Sequence, residues 1–466
     1  MPKTAIMLSS FQFLAGCVGA TATAPNSVAG ADSQVADGSP DTGSVVNAKA
    51  ALLAVGGDFA CAVLADGVAR CWGANAMGQL AIGKKPADYS GQMASEAYPV
   101  VAASLKGVTA LAAGPSHACA LTAAGALCWG DNQFGQVGNG LDATAYGASN
   151  LAAEFSAKPV QKLTQPSAIG AGRRLTCALQ ATIAWCWGDN TDGALGGGAG
   201  MGVALPAQVK MPAGSKVLAV GGRHACVVKA DGAVACWGNN GQGQANPGGA
   251  AAVLLPQVVA QLDKATAIVA GDAHTCTITL AATVQCWGDG SVGQLAGAAS
   301  GVTTIAGVTE AVALAAGASH TCALASQGSV SCWGANDTGQ LAGTGTGPVT
   351  VAGLAATAIA AGGHTTCAIT KTGTVVCWGA GAAGQLGDGN RKAMGTNAVV
   401  QWNAPAKPTP DAVSAETATE GDAGSSPDYD SWASTETSWV DANPVEQDVS
   451  DACIGSDGAN VCIKFP

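Results

Sequence analysis

Short apolar runs separated by glycine turns recur along most of this chain, and the stretch from Thr357 to Leu386 shows their order. Ala358 to Ala361 forms a first run, Gly362-Gly363 turns the chain, and His364 to Ile369 forms a second. Lys371-Thr372-Gly373 turns it again, and Thr374 to Trp378 returns. Runs of this length bounded by glycine predict strands, the second and third joined as an antiparallel hairpin. Asp66-Gly67 and Asp231-Gly232 fill the same turn elsewhere, a strong hairpin signal. A fourth strand is expected after a further loop, opened by proline at Pro99, Pro159, Pro206, Pro256 or Pro348. Proline is tolerated as the first residue of a strand, especially near an edge.

The unit repeats. Cys332-Trp333-Gly334 heads a stretch ending in Gly339-Gln340-Leu341, and Cys-Trp-Gly returns at Cys71, Cys128, Cys186, Cys236, Cys286 and Cys377, seven copies in all. The period of about 45 to 58 residues belongs to propellers, solenoids or arrays. Each unit supplies about four short strands, too little sheet to stand alone, and a closed ring of such sheets leaves only short, protected edges. The expected fold is therefore all-β, a seven-bladed propeller of four-stranded blades over residues 50–402. The tryptophan, bulky among small residues, is assigned to packing between blades.

A second cysteine stands nine or ten residues before each Cys-Trp-Gly: Cys61, Cys119, Cys177, Cys226, Cys276, Cys322 and Cys367. The two flank the hairpin turn and fall on facing positions of neighbouring strands, where a disulfide closes a loop of about ten residues, worth about 2.5 kcal/mol. The spacing is too long for the knuckle of a structural zinc site, so no metal is assigned to them. All five histidines (His117, His224, His274, His320 and His364) are read as one repeat position just ahead of the first cysteine, with Phe59 and Leu175 in that place in the other two units. A position so copied, and twice replaced by an apolar residue, reads as a hydrogen-bonded structural histidine. It is not read as a catalytic group or as a ring of ligands around a central channel.

Composition adjusts this picture at the two ends. Charged residues make up 11% of the chain and its formal charge is −11, but twelve of the 31 acidic residues lie between Pro408 and Ile463, where there is no Lys or Arg. The remainder carries 20 basic against 19 acidic residues (31 less twelve), without the basic stripe that nucleic-acid phosphates require. Residues 403–450 read as an acidic linker, in which Trp432 and Trp439 are unusual. Cys453 and Cys462 then frame a hairpin-like segment, 451–466, read as closed by an eighth disulfide. Regular cysteine pairing suits an oxidising compartment.

At the other end, a short apolar run from Ala5 to Leu14 reads as a secretory signal, too short to span a bilayer. Its close, Leu14-Ala15-Gly16-Cys17, resembles the bacterial lipobox. That resemblance implies acylation of Cys17 after removal of the leader, anchoring to a membrane, and export towards the outer membrane, because Val18 and not Asp follows. Residues 18–49, rich in Ala, Ser, Thr, Gly and Asp, read as a flexible tether.

The pattern Ala-Ala-Gly-x-x-His-Thr-Cys-Ala-Leu, followed by Gly-x-Val-x-Cys-Trp-Gly-x-Asn-x-x-Gly-Gln-Leu, resembles the regulator-of-chromosome-condensation repeat, and Ala315 to Leu341 is a close instance. The resemblance runs over residues 50–402 and implies a seven-bladed propeller. The founding member of that family is a nuclear guanine-nucleotide exchange factor that binds chromatin. None of its residues for those activities is matched here, and a chain without a basic surface is not expected to share them.

The first two units are the longest, with extra residues at about Lys84 to Ala97 and Asn139 to Ala157. Insertions in a repeat array collect on one face, often the binding face. Tyr89, Tyr98, Tyr146 and Phe155 lie in or beside them and Phe134 just before the second, and aromatics are favoured at protein interfaces. These five are the candidate partner-binding residues, weighed against a role in covering the insertions' own small cores. No nucleophile–base set, phosphate loop or sialidase-type Asp box is found, although Asp131, Asp189 and Asp289 are candidates to meet on one face. The chain is thus read as an exported, lipid-anchored, monomeric propeller that recognises a protein partner, without catalysis or cofactor. A carbohydrate-active or other propeller enzyme of the cell envelope is the alternative, and a purely structural envelope protein the third.

Overall fold

A computed structural model describes residues 49–142, 152–211, 214–345 and 347–402. Cys17, the tether, Tyr146, the acidic linker and the Cys453–Cys462 segment lie outside the described residues. The described chain forms seven four-stranded antiparallel sheets, each an uninterrupted meander. Blade A is β1–β4 (50–101), blade B β5–β8 (108–159), blade C β9–β12 (168–208) and blade D β13–β16 (215–258). Blade E is β17–β20 (265–304), blade F β21–β24 (311–350) and blade G β25–β28 (356–399). The first strand of each blade packs on the first strand of the next, and β25 (Ala356–Gly362) packs on β1 (Ala50–Val55), which closes the ring as a seven-bladed propeller. No strand is exchanged at the closure, since β1 belongs to the same sheet as β2 and β28 to the same sheet as β27.

The expected hairpins form in register. Cys61 faces Cys71, Cys322 faces Cys332, and the other five pairs do likewise, each joined by a disulfide with Cα atoms 4.0–4.1 Å apart. These bonds staple the second strand of a blade to its third and do not cross between blades. The glycine after each tryptophan is required by its backbone: Gly334 has φ of 109°, and a Cβ there would lie 2.5 Å from the Ser319 carbonyl oxygen. The fourth strand departs from expectation in four blades, while in blade F Pro348 directly precedes β24 (Val349–Thr350) as expected. Pro99, Pro206 and Pro256 lie inside β4 (Ser95–Val101), β12 (Val203–Gln208) and β16 (Ala252–Val258), and Pro159 ends β8 (Ala153–Pro159) instead of opening it. The outer strand has only one hydrogen-bonded neighbour, so a proline nitrogen facing away from it forfeits no ladder bond.

Candidate functional site

Every seam between blades is built on one main-chain acceptor. Trp129, Trp187, Trp287, Trp333, Trp378 and Trp72, all fully buried, donate through Nε1 to the carbonyl oxygens of Gln79, Gln136, Gln244, Gln294, Gln340 and Gln385 in the preceding blade, at 2.7–3.0 Å. Trp237 donates to Ala194, which stands where the other blades have glutamine. The Trp72 bond to Gln385 is the ring closure, so blade A docks on blade G as any blade docks on its neighbour. The interblade role expected of the tryptophan is what the structure has.

The histidines add a second layer. His117, His224, His274 and His320 pair with Gly130, Gly238, Gly288 and Gly334 at one register position. The Nε2 of each lies 2.8 Å from the hydroxyl of Thr176, Thr275, Thr321 or Thr366 in the next blade. His364 does not belong to this set, contrary to the sequence reading. It precedes its cysteine by one residue more, Thr365 takes the register position opposite Gly379, and His364 is exposed beside Asp337. The corrected pattern is pairwise. Histidine occurs in the four blades whose successor supplies threonine; Phe59, Leu175 and Thr365 occur where the successor supplies Ala118, Ala225 or Ala60.

The hydrogen bonds fix the tautomer. Thr176, Thr275 and Thr366 donate onward to the Gln136, Gln244 and Gln340 carbonyls, so each hydroxyl accepts from its histidine and Nε2 carries the proton. The Nδ1 atoms of all four are buried without a hydrogen-bond partner. Those of His224, His274 and His320 lie against Gly221, Gly271 and Gly317, where even a Cβ would collide with the ring. Burial pushes His117, His224 and His320 down to about 3 and His274 to about 4, so these are neutral structural groups.

In a meander, the loop between the first and second strands and the loop between the third and fourth emerge at the same end, so one face of the ring carries both sets. In the first loop the bond that every blade repeats is a main-chain one, although the Asp58 side chain also accepts from Gln385 Nε2 at the ring closure. The carbonyls of Asp58, Ser116, Arg174, Arg223, Ala273, Ser319 and His364 each accept the N–H of the residue following Cys-Trp-Gly in their own blade. Their side chains are therefore free to vary, and the arginines stand out. Arg173, Arg174 and Arg223, three of only five in the chain, lie on adjacent turns of blades C and D. With Asp189, Gln242 and Asp272 they line a cleft of about 590 Å³. Arg173 reaches past blade D to Asp272 in blade E at 2.5 Å, and Arg223 pairs with Asp192 at 2.7 Å. Arg174, exposed, has its guanidinium carbon 4.4 Å from the centroid of the Phe134 ring and forms no ion pair among the described residues. Beside this cleft, the turns of all seven blades surround an axial cavity of about 310 Å³.

Of the candidate aromatics among the described residues, only Phe134 joins this cluster. Tyr89 closes the first insertion on itself: its hydroxyl accepts from Asn75 Nδ2 at 3.0 Å, Lys84 lies over its ring, and burial, with Glu96 nearby, holds its hydroxyl above the usual tyrosine value. Tyr98 falls within β4 and lies against Gly389 of blade G. Phe155 falls within β8, and its carbonyl accepts from Gly83 of blade A. The three aspartates each hold their own loop: Asp131 accepts from Gln133 N, Asp189 from Thr191, and Asp289 from Ser291 N and Gln294 Nε2. Among the described residues no group of three His, Cys, Asp or Glu is placed to hold a metal, and no helix is long and apolar enough to cross a membrane. Arg173, Arg174, Arg223 and Asp272 were not singled out from the sequence. Their signal was a departure from the repeat, two arginines together after a glycine where other units have small or polar residues.

Residues 51–79, 108–136, 216–244, 311–340 and 356–385 match the Regulator of chromosome condensation (RCC1) repeat. Each match runs from the first strand of a blade to its Gly-Gln loop, in blades A, B, D, F and G. Prp20p of Saccharomyces cerevisiae, studied for its binding to Gsp1p and histones, is similar with a TM-score of 0.62 and 18% identity, over 76% of this chain and 88% of that one. The same yeast protein bound to Kap60 gives 0.62 and 18%, over 81% and 91%. Human WBSCR16 gives 0.55 and 18%, over 66% and 84%. At such identities the likeness is one of fold.

Proposed function

Because the chain belongs to the RCC1 repeat family, we propose that it is a recognition propeller whose partner is a protein, engaged through the face that carries the arginine turns and the insertions of blades A and B. The observation that carries this reading is the division of labour in the loops. The main chain closes these turns within each blade and Arg173 and Arg223 pair with aspartates of other blades, so Arg174 and Phe134 are the side chains surplus to the fold. A surplus of arginine and aromatic side chains is the composition of protein-binding hot spots. Yeast Prp20, of the same fold, is described with protein partners, Gsp1p, histones and Kap60. Catalysis is not part of the proposal, because Asp131, Asp189 and Asp289 are each committed to loop hydrogen bonds.

Seven buried disulfides suit an oxidising environment outside the cytoplasm. We propose further that the chain is exported and held at the outer membrane through acylated Cys17, as a monomer. Photo-crosslinkers placed on this face of the full-length protein in its native envelope test the reading. The expected outcome is one specific protein adduct, lost when both insertions are removed. Adducts as frequent from the opposite face overturn the assignment, and turnover of envelope polysaccharides by the purified ring would move the protein to the enzyme class.

A further inference from the structure

We propose that the cleft between blades C, D and E binds an acidic peptide segment by a single carboxylate, with Arg174 as the receiving group and Phe134 as its platform. This rests on the protein-binding reading above and names the chemistry of the contact. The charges of the cleft decide the class of ligand. Arg173 is taken by Asp272, and Arg223 is shared between Asp192 and a cleft edge where Asn239 also donates to Asp192. Arg174 stacks on an aromatic face and forms no ion pair among the described residues, while the nearby Asp131 carboxylate, which feels its charge, is held by the main chain of its own loop. Guanidinium groups match carboxylates with two parallel N–H bonds, and stacking on a ring holds the plane of the fork in advance. A guanidinium stacked on a ring and outside any ion pair among the described residues thus offers its fork to one anionic group.

The acidic side chains also argue against a polyanion. Asp189, Asp192 and Asp272 line or border the same cleft, and they would repel a phosphate chain or a nucleic acid. Towards a peptide they act differently, as acceptors for main-chain N–H groups, and the exposed amide of Gln242 supplies both a donor and an acceptor. A carboxylate flanked by peptide groups satisfies the whole set. It comes from an Asp or Glu side chain or from a chain terminus.

The repeats themselves supply variants that preserve the fold. Ala273 fills the turn of blade E that Arg174 fills in blade C, and Ala383 fills the loop position of blade G that Phe134 fills in blade B. Arg174→Ala and Phe134→Ala are therefore compatible with folding. The experiment titrates the full-length protein with three labelled probes: a short capped peptide containing Asp and Glu, its Asn/Gln counterpart, and a neutral peptide with a free C-terminal carboxylate. Fluorescence anisotropy is read at low and at about 1 M salt, where the Debye length is about 3 Å. Expected are binding of the acidic probe, loss in high salt, and weakening by about tenfold or more in Arg174→Ala, with a smaller loss in Phe134→Ala. Preference for the third probe assigns the site to a terminus. Equal binding of the Asn/Gln probe, no binding of any probe, or an unchanged Arg174→Ala variant overturns the proposal. A crosslinked partner captured equally by wild type and Arg174→Ala sinks this site alone, whereas absence of any specific adduct sinks the protein-binding reading.

Discussion

The seam between blades B and C and the seam between A and B share their tryptophan bond to a glutamine carbonyl and differ in one pair of side chains. In the first, His117 meets Thr176; in the second, Phe59 and Ala118 stand in the same places. Both solutions are fully buried, and the ring uses the polar one four times and the apolar or small one three times. The lesson is that the pair, and not the residue, is the unit. A buried imidazole is tolerated because a threonine accepts its proton, and where no threonine is present the chain has no histidine there.

The largest test of that comparison is acid. Each of the four histidines is neutral in the fold, held at about 3 or about 4 against an ordinary 6.5, so the unfolded chain binds more protons below 6.5. The charges nearest them are each other, Asp289 beside His274, and His364 and Asp337 beside His320. Stability is therefore full above about pH 6.5 and falls as pH drops towards the folded values, by about 1.4 kcal/mol per pH unit for each histidine. At pH 5 the four together cost about 8 kcal/mol. Urea midpoints at pH 7 and pH 5 measure this, and equal midpoints would contradict it. Replacing the His320–Thr366 pair with Phe and Ala sharpens the comparison, because the pH slope should fall by one proton in four.

Trp333→Ala removes the part common to both kinds of seam and should cost about 3–5 kcal/mol in urea unfolding, through the cavity and the unanswered Gln294 carbonyl. Removing the Cys322–Cys332 bond with paired alanines should cost about 2.5 kcal/mol, whichever seam the blade faces. Thr275→Ala alone leaves the His224 Nε2 proton buried without an acceptor, at about 1–3 kcal/mol. The double change His224→Phe and Thr275→Ala should recover part of that loss, and strictly additive costs in the cycle would break the pair rule. The smallest effect belongs to the histidine outside the set. Asp337→Asn, which removes the exposed His364 contact, should shift stability by about 0.5 kcal/mol or less.

Much of the scaffold was legible along the chain. The spacing of Cys-Trp-Gly, the glycine turns and the facing cysteines each follow from strand periodicity within one hairpin, and a hairpin is a local structure. The outer strand was less so. Its boundaries depend on where an insertion rejoins the sheet: Phe155, taken for an insertion residue, and Tyr98, placed beside the other insertion, proved to be strand residues.

What the sequence determined by itself was the seven-fold repeat, the four strands of each unit and the cysteine pairing, because all three are set by neighbours within a few residues. Only the tertiary structure decided which histidine meets which threonine, how blade A meets blade G, and that Phe134 lies against Arg174. Those contacts join residues about 40 to 300 positions apart, brought together by ring closure and not by any local spacing.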